Sequence, residues 1–225
     1  MTTKAAIFDL DGTLLDTLND LRNSLESALK KEGFSGTFDD HTFKHMVGNG
    51  LTKLIKRSLP SELDEDSAPF LRVRSVFKDI YSRNLLESTR PYPGIGELVT
   101  RLKAAGFRLG VWSNKDDDNT RVLIEHFFPE VFTAIMGAVP GRPIKPAPQA
   151  GLELAELLGA KPEEIYYLGD SEVDMETAKG CGFIAIGVSW GFRSKEVLVQ
   201  AGARVILDKP DDLHSFLESV DGQPR

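Results

Sequence analysis

Short apolar runs recur along the chain at residues 5–9, 108–113, 134–137, 165–168, 184–188 and 204–207. None alternates cleanly between apolar and polar positions, which is the pattern of strands covered on both faces, as in a parallel sheet. Between most of these runs the apolar residues return at helical spacing. Ile95, Leu98, Val99 and Leu102 share one face of the segment 94–105, and Leu152, Leu154, Ala155 and Leu158 do the same within 147–158. Strands alternating with helices predict an α/β fold, a doubly wound, Rossmann-like parallel sheet.

The segment from about Thr17 to Arg90 breaks the alternation, and no strand is predicted in it. Leu18, Leu21, Leu25, Ala28 and Leu29 form one apolar helical stripe that ends before Gly33. A second helical region is expected from His41 and a third from Ser67 to Leu86, with the acidic loop "SLPSELDEDSAP" between them. The chain returns through "RPYPGI", where Pro91, Pro93 and Gly94 make a stiff hinge and Arg90 is expected at a surface contact. The expected division is residues 1–15 and 91–225 as an α/β core, with 16–90 inserted as a helical module. The last residues, "VDGQPR", are expected to fray.

A chain of 225 residues is long enough for one sizeable domain carrying a smaller insert. Net charge of -7 disfavours nucleic acid and anionic membranes as partners, but it leaves room for a local positive pocket. The start of the chain has one Lys and no long apolar run, so no signal peptide is expected, and no stretch approaches the length of a membrane span. Cys181 is the one cysteine, which excludes an intramolecular disulfide and suits a reducing compartment, so a cytoplasmic protein is expected. It lies in "AKGCGF" with no His beside it, the setting of a small buried residue rather than a nucleophile. No feature of the sequence specifies an oligomeric state.

The chemistry begins in "AIFDLDGTLLDT", where a buried-looking strand runs into Asp9 and Asp11. Side chains two apart at a strand end face the same way, and carboxylates placed there need a compensating charge. Gly12 permits a tight turn that exposes backbone N–H groups, and ligands of open α/β sheets bind at the carboxyl ends of the strands. A hard divalent cation such as Mg²⁺, with its preference for oxygen, supplies the compensation. Asp and Gly are also common turn residues, so the other strand ends must decide. They carry Ser113, Asn114 and Lys115 after "RLGVW", then Lys145 in "GRPIKPAP", then Gly169, Asp170 and Asp174 in "IYYLGDSEVDM". Singly these could be a helix start, a solvated Lys, and a helix cap with an acidic first turn.

Taken in order, Asp-x-Asp-Gly-Thr, Ser-Asn, Lys and Gly-Asp-x-x-x-Asp resemble the haloacid dehalogenase superfamily across essentially the whole chain, and the helical insert matches the position of that family's cap. Within it, "VGNGLTKLIKRSL", "SNK" and "KPAP" are most similar to the phosphoglycolate phosphatases. The resemblance implies Asp9 as a nucleophile forming an aspartyl-phosphate and Asp11 as the acid and base that serves the leaving alcohol and then water. It implies Mg²⁺ on Asp9, the Asp11 backbone carbonyl and Asp170, with Asp174 behind them. Backbone N–H groups at Gly12 and Thr13, with Ser113 and Asn114, would hold the phosphate oxygens, and Lys145 would bridge Asp9 and the phosphate. Gly48, Asn49 and Gly50 are the residues of the cap expected to meet the substrate, although two glycines can also simply break a helix. The partner implied is a small phosphorylated metabolite, with 2-phosphoglycolate first.

Three other signals are read as structural. His41 and His45 are spaced to share a helix face, but Thr42 stands where a zinc protease would have Glu, so a solvated face is expected. "KDDDN" reads as a charged helix start, and Trp190 and Phe192 as packing residues near the mouth. Other activities on the same chemistry are a sugar phosphatase, a pyrophosphatase or a β-phosphoglucomutase-like phosphomutase. A dehalogenase is disfavoured because Asp11 would have no job. The alternative of another class is a catalytically inactive binding protein on the same fold, against which the complete set Asp9, Asp11, Lys145 and Asp170 argues.

Overall fold

The computed structural model describes residues 4–221, with side chains placed through residue 218. An all-apolar strand β1 (Ala5–Phe8) is followed by a two-residue strand β2 (Leu15–Asp16) and four helices, α1 (Leu18–Lys31), α2 (Asp40–Met46), α3 (Leu51–Ser58) and α4 (Ala68–Arg83). A second two-residue strand, β3 (Arg90–Pro91), opens the alternating part: α5 (Ile95–Ala104), β4 (Arg108–Asp116), α6 (Asp117–Phe127), β5 (Ala134–Ala138) and α7 (Gln149–Leu158). The alternation continues through β6 (Ile165–Gly169), α8 (Glu172–Cys181), β7 (Ile184–Val188), α9 (Lys195–Gln200), β8 (Val205–Leu207) and α10 (Asp212–Asp221).

Six strands form one parallel sheet in the order β5-β4-β1-β6-β7-β8. The apolar run of β1 is needed because the strand is sandwiched. Ala5 and Ile7 pack on one face with Trp112, Leu154 and Met175, while Ala6 and Phe8 pack on the other with Leu98, Ile124 and Leu213. After β1 the chain builds β4 and then β5 on one side, then crosses to β6 on the other side of β1, so the carboxyl ends of β4, β1 and β6 meet at a switch point, where such sheets bind ligands. The doubly wound α/β expectation is met. Among the described residues no helix is long and apolar enough to cross a membrane.

Local departures have local causes. β4 continues to Asp116, three residues past its apolar run, because Asp116 still pairs with Ala138 of β5. In α7 the buried face is Ala150, Gly151, Leu154, Ala155 and Leu158, and Leu152 faces outward. α4 stops at Arg83 rather than Leu86, and Leu85 turns back into the core. The expected frayed end is helical as far as Asp221, and residues 222–225 lie outside the described residues.

The four helices of the insert pack around their own apolar stripe, α1 against α4 and α2, and α3 against α4. Leu25, Leu29, Phe43, Ile55, Phe70 and Val73 are buried there. The helical region expected from His41 is two helices, because Gly48 and Gly50 take left-handed φ values of +107° and +81°. The segment read as strandless is bounded by a short antiparallel ladder, in which Leu15 pairs with Pro91 and Asp16 with Arg90. Two-residue strands carry no readable periodicity. Buried Asp20 of α1 ties this junction, accepting bonds from Ser88 N (2.9 Å), Thr89 N (2.8 Å) and Thr89 Oγ1 (2.8 Å). Asp20→Ala leaves the buried Thr89 donors unpaired, so it is expected to cost about 2–4 kcal/mol of stability in urea unfolding. A change under about 0.5 kcal/mol would remove Asp20 from that role.

Candidate active site

Asp9 directly follows β1, and its N–H still donates to Leu168 O at 2.9 Å, so the sheet itself aims the residue. Asp170 directly follows β6 and lies beside it. The loop after Asp9 can pass over Asp170 only as glycine: a Cβ on Gly12, at φ +87°, would sit 2.3 Å from Asp170 Oδ2. Asp170 Oδ1 accepts from Thr13 Oγ1 at 3.2 Å, and Oδ2 accepts from Phe192 N at 2.7 Å. Asp170 is not the helix cap. Ser171 is the N-cap of α8, and Asp174 closes a capping box by accepting from Ser171 N (3.1 Å) and Oγ (2.6 Å). That leaves the Asp170 carboxylate facing β1.

Lys145 is not a solvated loop residue. It is 3% exposed and enters the site from the loop after β5. Asn114, on β4, fixes its backbone by accepting from Lys145 N at 2.8 Å and donating to Lys145 O at 3.1 Å. The ammonium then meets Asp174 Oδ1 at 2.7 Å, Asp9 Oδ1 at 2.9 Å and the Tyr167 hydroxyl at 3.0 Å. Burial alone would depress the Lys145 pKa, but Asp174 and Asp9 together hold it well above the ordinary value.

Asp9, Asp170 and Asp174 bring carboxylate oxygens within 4.8 Å of one another, all buried. Burial first, and then the Asp174 charge, push Asp9 up to about 7 against the pull of Lys145. The same two causes, with the charge of Asp9, raise Asp170 well above the carboxylate range. Three buried carboxylates around one ammonium leave a deficit of positive charge. Each Asp174 oxygen accepts two protein donors, Lys145 and Tyr167 on Oδ1 and Ser171 N and Oγ on Oδ2, whereas each Asp170 oxygen accepts one and Asp9 accepts only Lys145, so Asp9 and Asp170 are the carboxylates with lone pairs left for a cation. An all-oxygen donor set suits a hard divalent ion such as Mg²⁺.

Asp11 points away from this cluster. Its Oδ1 accepts from Thr17 Oγ1 at 2.6 Å and pairs with Lys115 Nζ at 3.0 Å. Lys115 also donates to Tyr81 OH of α4 at 2.6 Å. Neither Lys115 nor Tyr81 was expected at the site. "KDDDN" reads as a helix start, yet α6 begins at Asp117, and Lys115 and Asp116 complete β4. The available signal was a Lys directly after Ser113 and Asn114.

These groups line a cavity of about 70 Å³. Asp9, Asp11, Ser113, Asn114, Lys115 and Lys145 form its polar wall, and the insert covers it with Leu21, Val47, Leu51, Leu54, Phe77 and Tyr81. Gly48 and Gly50 lie on the wall, but the Asn49 side chain does not, since its Oδ1 accepts from Arg57 at 2.6 Å. Asn114 has its amide engaged by Lys145 and by Gly48 O at 3.3 Å, so its side chain is not free for a phosphate oxygen. Thr13 likewise has its hydroxyl on Asp170.

The insert is closed onto the core at several points. Lys78 pairs with Asp116 at 2.9 Å. Arg193, 5% exposed, pairs with Glu172 at 2.8 Å and donates to Val47 O at 2.9 Å and to Lys44 O, capping the end of α2. Arg193 was missed because nothing local marks it. Phe192 packs as expected and adds its N–H to Asp170, and Trp190 donates to Thr13 O at 3.0 Å. Elsewhere, His41 and His45 are exposed with ring centroids 4.8 Å apart, and Arg90 bonds backbone oxygens at the hinge. Cys181 is buried, its thiol pushed up to about 11 by burial.

The family model of haloacid dehalogenase-like hydrolases matches residues 6–188. A phosphoglycolate phosphatase of Mesorhizobium japonicum is 33% identical over 199 residues, covering 88% of this chain and 87% of that protein. One of Aquifex aeolicus is 29% identical over 220 residues, covering 96% and 97%. A crystal structure from Lactobacillus delbrueckii subsp. bulgaricus, provisionally assigned as a phosphoglycolate phosphatase, superposes with a TM-score of 0.89 at 34% identity, covering 96% of this chain and 99% of that one. With a match that takes in Asp9, Lys145 and Asp170 alike, this chain belongs to the haloacid dehalogenase-like hydrolase family.

Proposed function

We propose that the protein is a Mg²⁺-dependent phosphatase acting on a small phosphorylated acid, 2-phosphoglycolate first, through a phosphoryl group carried on Asp9. The observation that carries this reading is Lys145 lodged between Asp9 and Asp174 at the floor of a small covered cavity. The names of the similar proteins support the substrate. So does the apolar wall of the insert, which offers few partners for the hydroxyls of a sugar.

Asp9 attacks phosphorus, and the bond from phosphorus to the ester oxygen breaks. Asp11 gives the departing alkoxide its proton. Thr17 and Lys115 both engage Oδ1 of Asp11, which leaves Oδ2 for that transfer. Asp11 then takes a proton from water, which attacks phosphorus and frees Asp9. The ammonium of Lys145 pulls Asp9 toward the ionised form that attacks and draws the phosphate toward it. Ser113 Oγ and the Asn114 N–H receive the phosphate oxygens; the N–H groups of Gly12 and Thr13, expected there from the sequence, donate instead to Leu15 O at 2.9 Å and Leu10 O at 3.3 Å and close the loop. The Asn114 side chain fixes the Lys145 loop, and Asp174 orients the Lys145 ammonium. Gly48 and Gly50 let the insert close tightly, while Asn49 shapes that loop through Arg57. Mg²⁺ held by Asp9, Asp170 and the Asp11 carbonyl would neutralise phosphate charge. On this reading residues 16–90 act as a lid that excludes water.

Phosphate release from a panel of phosphorylated metabolites is expected to require Mg²⁺, to stop with chelator, and to fall on the order of 10³-fold or more in Asp9→Asn. No release from any compound would overturn the phosphatase reading, and a sugar phosphate leading the panel would replace the substrate. A second expectation concerns the free protein. With Asp9 ordinarily near 3.8 and at about 7 in the fold, the folded state holds the extra proton between those values. Stability from this group is therefore lost as pH rises through that window. In chelator, the melting temperature should drop between about pH 4 and pH 7 more steeply for the parent than for Asp9→Asn, and Mg²⁺ at the upper pH should restore the parent more. Equal slopes would mean the burial of Asp9 carries no such cost.

A further inference from the structure

Lys115 is a buried cation that the phosphate chemistry does not use directly. Its side chain is 4% exposed, yet it lines the same cavity as Lys145. Among the described residues, two of its three N–H groups are taken, by Asp11 and by the Tyr81 hydroxyl. Tyr81 stacks on Phe77 and holds the ammonium 4.5 Å from its ring centroid. Its hydroxyl accepts from Lys115, so its own proton remains to be donated, and burial keeps the phenol protonated by pushing it up to about 12. The other cation on the wall, Lys78, is paired with Asp116 at the partly exposed rim. The same cavity is lined by apolar Leu21, Leu54 and Phe77 from the insert and by Asn119 from α6. A buried cation and a buried phenol with one donor each to give, side by side on the cavity wall, form a receptor for a second anionic group on a small ligand.

We infer that Lys115 and Tyr81 form a carboxylate subsite, one from the core and one from the insert, that selects phosphorylated acids over neutral phosphate esters. The inference rests on the phosphatase reading above and adds the residues that set its substrate class. Phosphate at Asp9 and carboxylate at Lys115 are then read within one cavity. Because Tyr81 comes from α4, the subsite is complete only while the insert is closed.

The test compares 2-phosphoglycolate with ethyl phosphate, which lacks only the carboxylate oxygens, as a ratio of kcat/KM values. Lys115 also holds Asp11, so Lys115→Met is expected to slow both substrates. The subsite predicts in addition that the ratio falls about 10- to 100-fold, with the extra loss in KM. Tyr81→Phe keeps the ring and is expected to lower the ratio about 3- to 10-fold. Should Lys115→Met not fold, the ratio in Tyr81→Phe decides. A ratio unchanged in the folded variants would reduce Lys115 to a positioning residue for Asp11, overturning the subsite while the phosphatase reading stands. A parent that shows no preference for the acid would do the same. A parent that releases phosphate from neither compound, nor from any other in the panel, would overturn both.

Discussion

One buried ammonium among three carboxylates is the constraint around which the rest of the molecule is arranged. Lys145 cannot be inside without Asp9 and Asp174, and they cannot be so close without it. Much of the surrounding sequence serves that pairing. Asn114 commits its whole amide to the Lys145 backbone and the insert. Ser171 takes over the capping of α8, so that Asp170 does not have to. Gly12 and Gly191 leave out the side chains that would strike Asp170. The central strand supplies apolar burial to offset a cluster that contributes little stability of its own in the free protein.

The two walls of the cavity divide the labour. The core, through four strand ends, provides charge and hydrogen bonding, and those positions are tied to backbone that cannot move without disturbing the sheet. The insert provides an apolar ceiling, one phenol and, at the rim, Lys78. On the proposed phosphatase reading, the reaction sits on the rigid part, and selection among substrates falls to the helices of the insert.

What could be read from the chain follows from how far each feature reaches. Asp9, Ser113, Lys145 and Asp170 were legible because each stands at or after the end of an apolar run, and such ends converge in a doubly wound sheet. The break at Gly48 and Gly50 was visible, but not that it would split one helical region in two or that Asn49 would turn to Arg57. Lys115 looked like part of an acidic helix start because its burial depends on Tyr81, 34 residues earlier. Arg193 lies 146 residues from the carbonyl it caps, and no local pattern announces such a bond. Leu152 was misplaced for a simpler reason: two faces of α7 carry leucines, and only packing tells which is inside.

The ladder of Leu15 with Pro91 and Asp16 with Arg90 brings the two ends of the insert side by side just beyond β1. The sheet sees only a narrow doorway through which the chain leaves and returns. Whatever is threaded through it, long or short, the strands behind keep their register. A module with a different ceiling could be exchanged there by recombination in a single event, leaving the sheet and the side chains at its strand ends unchanged.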